Sequence, residues 1–193
     1  SSLLNIKTPS TAGETFYTHI PDNNVVTNNS SPQWVESPQS FLCQGNAFNI
    51  NHGAIDVDGD SLAYSLYTPF DSNTVTFPGG LFTAVPLSWT STYGATNPFN
   101  AGIPNSLQIT SKGIITGVPP QTSGNFVVGV RCQEWRNGIK LGEILRDFQI
   151  RVVVCPPKIL ANYSFTGNCN GTKVSFTTLT TGAKTYFWDF GNT

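Results

Sequence analysis

The sequence predicts an all-β protein, and three observations carry that prediction. Ser, Thr and Asn make up 58 of the 193 residues, and their side chains compete with the helical backbone for hydrogen bonds. Aromatic residues account for 12% of the chain, and they favour a pleated, half-buried surface. The chain also contains 18 Gly and 13 Pro residues, which divide the apolar segments into short pieces typical of strands joined by turns.

The order of strands and turns predicts a main domain over residues 31–155. Residues 1–30 are mostly polar and are predicted to be a strand and connector from the end of a preceding domain. Short apolar segments bounded by turns predict strands at 41–43 and 47–50. The clearest strand covers 147–154, because apolar side chains there alternate with polar ones.

A second β domain is predicted to begin after Cys155-Pro156-Pro157 and to occupy 156–193. Apolar residues recur there with the period of two that is typical of strands, in three groups: Tyr163 and Phe165, Val174 and Phe176, and Tyr186, Trp188 and Phe190. Three strands cannot enclose a sandwich core, so we expect this domain to be truncated and to belong to a longer array.

Composition excludes several classes of protein. Hydrophobic residues make up 38% of the chain, which supplies enough apolar surface to exclude general disorder. No apolar run approaches the length that crosses a bilayer, so no transmembrane segment is expected. The net charge is -1, which argues against binding to a nucleic-acid backbone.

An acidic loop is the strongest candidate functional site. Asp56, Asp58 and Asp60 alternate with other residues around Gly59, and the stretch 8–111 contains no Lys or Arg. Either folding brings basic residues of the later sequence to these carboxylates, or a bound cation neutralises them. Hard cations such as Ca²⁺ take about six to eight oxygen ligands, and closely spaced carboxylates supply them. We therefore predict a calcium site here. The alternative is a solvated acidic turn held by Asp side chains that bond to their own backbone.

Four cysteines are present, with no C-x-x-C pair that would indicate zinc. In an exported β protein, disulfides are the more plausible use of such cysteines. Three connectivities are possible, and the preferred interpretation pairs Cys43 with Cys132 and Cys155 with Cys169.

Three sequence segments together resemble cadherin-like and bacterial Ig-like repeats. Residues 54–66 read AIDVDGDSLAYSL, residues 113–119 match a G-x-I-x-G-x-P turn, and residues 124–130 match the alternating strand that follows it. The resemblance implies an Ig-like or cadherin-like β-sandwich, and it implies that Glu134 is a further calcium ligand. The turn Asn137-Gly138 independently predicts a β-hairpin.

Residues 29–155 also resemble, more narrowly, the repeats of Bacteroidota gliding-motility surface adhesins. That resemblance implies export by type IX secretion, display on the outer cell surface, and tandem domains that contact a substratum or surface polysaccharide. The chain departs from the pattern at Trp135, where those relatives usually have Tyr, and at Cys132, which is less expected. Residues 185–192 resemble the Y-x-W-D-F-G-D motif of PKD domains, with Asn192 in place of the last Asp, which implies that Trp188 and Phe190 are core residues of a partial PKD sandwich.

These observations predict a non-catalytic, calcium-stiffened module of a secreted tandem-repeat adhesin. The chain contains two histidines, His19 and His52, in polar contexts, and it lacks common hydrolase motifs, so no catalytic site is expected. The alternative is an accessory carbohydrate-binding module of a secreted polysaccharide-degrading enzyme. For such a module Trp89 and Tyr93 are the preferred ligand-binding pair, because they lie in a polar, aromatic, loop-like stretch.

Overall fold

The computed structural model describes residues 3–15, 18–19, 21–22, 24–71, 84–99, 106–156, 161–166 and 174–191. In this part of the chain all regular secondary structure is β, which confirms the predicted all-β class. None of it contains a helix of the length and apolarity needed to span a membrane. The chain divides into two compact units, Ser1–Val154 and Cys155–Thr193.

The strands of the described residues are short except for one long hairpin. They are β1 (Thr18–His19), β2 (Gln33–Trp34), β3 (Phe41–Cys43), β4 (Phe48–Asn51), β5 (Ala54–Ile55), β6 (Ser61–Tyr67), β7 (Phe70–Asp71), β8 (Val85–Pro86), β9 (Leu107–Ile109), β10 (Ile114–Gly117), β11 (Gly124–Arg136), β12 (Ile139–Val153), β13 (Tyr163–Thr166) and β14 (Ser175–Thr178).

The hairpin β11–β12 is the centre of the first unit. Its turn residues Asn137 and Gly138 have φ angles of 51° and 79°, the left-handed values that a two-residue hairpin turn requires. The predicted Asn-Gly hairpin is therefore confirmed. The sheet continues in the order β1-β12-β11-β6, and β3 pairs in parallel with the end of β12.

A second sheet, in the order β4-β10-β9, packs against the first through a common hydrophobic core. The core side chains of the hairpin follow the strand period of two, because successive side chains point to opposite faces. The buried core residues are Leu42, Ile50, Phe99, Leu107, Ile115, Phe126, Val128, Val130, Phe148, Ile150 and Val152. Two sheets joined through one core form an arrangement of the β-sandwich class.

The N-terminal segment packs on the outer face of the hairpin, within the same unit as the main sheets. Asn5 is fully buried, and its side chain imitates a peptide group. Its Oδ1 accepts from the Val127 amide at 3.1 Å, and its Nδ2 donates to the Val127 carbonyl at 2.8 Å. Ile6, Leu87 and Val127 form a small second hydrophobic cluster beside it.

The predicted disulfide between Cys43 and Cys132 is wrong. Cys43 and Cys155 are disulfide-bonded, whereas Cys132 carries a free, buried thiol. Strand register explains the error, because Cys132 lies opposite Ile144 of β12 while Cys43 lies opposite Val153. Nine residues of strand separate those positions by roughly 30 Å, far beyond the reach of a disulfide. Cys169, the predicted partner of Cys155, lies outside the described residues.

In the second unit, β13 and β14 form an antiparallel pair in which Phe165 lies opposite Phe176. These two strands match the predicted positions. The third predicted strand does not form, since residues 185–190 pair with no other strand among those described. Instead, the Tyr186 hydroxyl donates to the Thr180 carbonyl at 3.1 Å, and the Trp188 ring lies 5.6 Å from that of Phe176.

Candidate metal site

The acidic loop joins β5 to β6, and its own hydrogen bonds shape it. Asp56 Oδ1 accepts from the backbone amides of Asp58 and Asp60 at 3.0 and 3.1 Å, as a side chain does in an Asx turn. Gly59 has a φ of 81°, which a residue with a Cβ rarely adopts. One carboxylate oxygen from each of the three aspartates therefore lies within 4.8 Å of the others.

Glu134 lies beside this loop because its side chain points to the inner face of β11. It shares the inward-facing row of Val130 and Cys132, and only 1% of it is exposed. The residue opposite on β12 is Gly142, where an added Cβ would meet Glu134 Oε2 at 3.3 Å. The missing side chain at Gly142 thus leaves room for the carboxyl. Glu134 comes within hydrogen-bonding reach of the Asp60 side chain.

Two buried carboxylate oxygens of the site, Asp56 Oδ2 and Glu134 Oε1, have no hydrogen-bond partner in the described part of the chain. A buried polar atom without a partner costs about 1–3 kcal/mol, and a cation bound between these two oxygens would remove that cost. Burial raises the pKa of Glu134 to about 7; a hydrogen bond with Asn29 opposes this shift, whereas the hydrogen bond with Asp60 and the charges of Asp56 and Asp60 add to it. A cation bound beside Glu134 would stabilise its charged form.

Folding brings one basic side chain to the loop from a distant part of the sequence. Arg136 donates from Nε and Nη2 to the two oxygens of Asp60, at 2.6 and 2.7 Å. The guanidinium holds the pKa of Asp60 below its usual value. Arg136 also donates to the Asn28 carbonyl at 3.0 Å and to Asn29 Oδ1 at 3.1 Å. Four acidic side chains still face one basic side chain, so the site carries a net negative charge.

The donor set favours a hard cation. Its members are carboxylates, and the neighbouring thiol of Cys132 has a pKa that burial raises to about 11, so the thiol stays protonated. Carboxylate oxygens suit Ca²⁺ and Mg²⁺, whereas soft metals prefer thiolate and imidazole ligands. Of the four predicted ligands, the structure clusters Asp56, Asp58 and Asp60 and places Glu134 beside Asp60, outside that cluster of three. It adds Arg136 and Asn29, which sequence reasoning did not include.

The predicted sugar-binding pair is not a shared exposed platform. Trp89 is half-buried against the Ile6 cluster, and its Nε1 donates to Thr68 Oγ1 at 3.0 Å. Tyr93 packs against the main core, with its ring 6.3 Å from that of Phe126. Trp89 and Tyr93 pack in different hydrophobic clusters. Their local sequence context did not indicate the direction of either side chain.

His52 is also placed differently from the sequence expectation of a polar setting. It is 1% exposed and stacks on Phe148 at 4.9 Å between ring centroids, with Trp34 at the same distance. Neither ring nitrogen has a hydrogen-bond partner among the described residues. Burial, with a contribution from Arg146, lowers the pKa of His52 to about 4. A neutral, stacked imidazole is a core residue in this structure.

Comparison of the chain with protein-family models, with curated protein sequences and with solved structures found no match.

Proposed function

We propose that this chain is a non-catalytic β-sandwich module whose acidic loop binds Ca²⁺. The observation that carries the proposal is the buried Glu134, whose Oε1 lacks a partner beside three clustered aspartates. A divalent cation would supply the missing partner and would reduce the repulsion among the four carboxylates. The ion would then fix the loop between β5 and β6 against the central hairpin.

The proposed role is structural, as a stiffened, Ig-like module in a secreted tandem array displayed on the cell surface for attachment or gliding. One observed feature supports it. The disulfide-bonded Cys43 and Cys155 are compatible with an oxidising compartment outside the cytoplasm. A cation that tied the loop to the hairpin would also stiffen the module, which would suit transmission of force. The alternative carbohydrate-binding role has less support, because Trp89 and Tyr93 pack against hydrophobic clusters.

Thermal unfolding of the chain in excess calcium and in chelator tests the metal site. Binding to the folded state adds about 2.7 kcal/mol of stability at 100 times the dissociation constant, so calcium should raise the midpoint by several degrees. Asp58→Ala and Asp60→Ala should abolish most of that rise. Asp22→Ala, which removes an exposed acidic group outside the cluster, should retain it. An equal midpoint with calcium and with chelator would refute the site.

Surface display is tested separately. Intact cells that produce the protein should bind an antibody raised against this chain, and external protease should remove the signal. Labelling that requires permeabilised cells would refute the proposed location and would leave the calcium result untouched.

A further inference from the structure

The proposed cation site includes one positively charged side chain, Arg136. Its contacts with the carboxylates differ from those that neutral backbone amides make around the loop. The carboxylates of Asp56 and Asp58 accept hydrogen bonds from neutral backbone amides, including that of Ser30, which lies 2.6 Å from Asp58 Oδ2. Neutral donors of this kind orient a ligand without opposing a cation. Arg136 instead brings a full positive charge to the cluster.

Arg136 occupies the oxygens that a cation would need. Its guanidinium donates hydrogen bonds to both oxygens of Asp60 at 2.6 and 2.7 Å, and its Nη2 lies 3.9 Å from Asp58 Oδ2. The side chain is also fixed from the other side, because it donates to the Asn28 carbonyl and to Asn29 Oδ1. A guanidinium held in this way repels a divalent cation and competes with it for Asp60.

We propose that Arg136 is a built-in competitor of the cation at this site and that it keeps calcium affinity in the weak range. This inference rests on the proposed calcium site. Sites of extracellular modules bind calcium at about 10⁻⁴–10⁻³ M, and fewer net negative charges give weaker binding. Arg136 removes one such charge from the four carboxylates, so the site responds to the calcium concentrations found outside cells.

Calcium titration by calorimetry at fixed ionic strength, with the full chain, tests the proposal. Arg136→Gln should bind calcium at least about tenfold more tightly than the wild type, because it removes both the positive charge and the bidentate hydrogen bond to Asp60. Arg136→Lys keeps the charge but loses the bidentate geometry, so its affinity should lie between those two. It also keeps the proposal testable should Arg136→Gln fail to fold, which circular dichroism would reveal.

A matched control separates the local effect from the change in net charge. Arg131 lies on the same strand, pairs with Glu143 at 3.7 Å, and is five residues from Arg136. Along the strand Arg131 is roughly 10 Å from Glu134 and roughly 16 Å from Arg136, both beyond the screening length of about 8 Å in physiological salt. Arg131→Gln should therefore bind calcium within about twofold of the wild type.

The outcomes distinguish this inference from the proposed function. If the wild type binds calcium and Arg136→Gln binds it equally or more weakly, Arg136 is not a competitor and the calcium site stands. If tighter binding appears equally in Arg131→Gln, net charge explains the effect and the inference is wrong. If none of the four proteins binds calcium, both the site and the inference are refuted.

Discussion

Replacing His52 by phenylalanine should make the stability of the protein less sensitive to acid. The imidazole has a pKa of about 4 in the folded protein, against 6.5 when unperturbed. His52 therefore binds a proton below about pH 6.5 in the unfolded chain but only below about pH 4 in the folded chain. Stability that is present above pH 6.5 is lost as the pH falls, and the loss at pH 5 is about 2 kcal/mol.

Phenylalanine should be tolerated at this position. The imidazole already stacks on Phe148, and its nitrogens have no hydrogen bonds to lose among the described residues. The unfolding free energy of His52→Phe, minus that of the wild type, should rise by about 2 kcal/mol between pH 7 and pH 5. Urea denaturation at both pH values measures that difference. The wild-type curve alone does not isolate it, because burial raises the pKa of Asp147 to about 6 and so acts in the opposite direction.

A neighbouring core substitution provides the control for this experiment. Ile50→Val removes one buried methyl group and no titrating group, so it should cost about 1 kcal/mol at both pH values. If the difference between His52→Phe and the wild type is the same at pH 7 and pH 5, the imidazole is not held neutral by burial, and the reasoning is refuted.

Two further substitutions test the fold. Asn5→Ala should lower the unfolding free energy by about 3 kcal/mol in urea denaturation, because it leaves the buried amide and carbonyl of Val127 without partners. A loss below about 0.5 kcal/mol would show that water replaces the side chain. Gly138→Ala should cost about 1 kcal/mol through its positive φ alone, since no atom lies within 4 Å of the added Cβ. Gly94→Ala, equally open but without a positive φ, should be nearly neutral, and equal effects at both glycines would contradict the turn geometry.

Local patterns predicted much of the fold. The alternation over 147–154 and the turn at Asn137-Gly138 involve neighbouring residues, so they are readable without knowledge of distant contacts. The disulfide was not predictable in the same way. Whether Cys43 can reach Cys132 depends on which end of β12 each cysteine faces, and that register is set by the assembled sheet.

The candidate site was likewise predictable only where it depends on neighbouring residues. The three aspartates are visible as a short motif, and Glu134 was included only through the family resemblance. A signal for it was present, because Glu134 is in phase with the apolar residues Phe126, Val128 and Val130, and a carboxyl in such a row is unusual. The pairing of Arg136 with Asp60 joins residues 76 positions apart in the chain, and no local pattern indicates it.

The most direct test of the calcium site compares the wild type with Glu134→Gln, by urea denaturation in chelator and again in 10 mM calcium. In chelator the variant should be at least as stable as the wild type, because the amide replaces a buried carboxyl that has an unpartnered oxygen. In calcium the order should reverse, since the wild type gains roughly 1–3 kcal/mol from the bound ion and the variant gains less. Equal gains in the two proteins, or no gain in either, would contradict a cation site that includes Glu134.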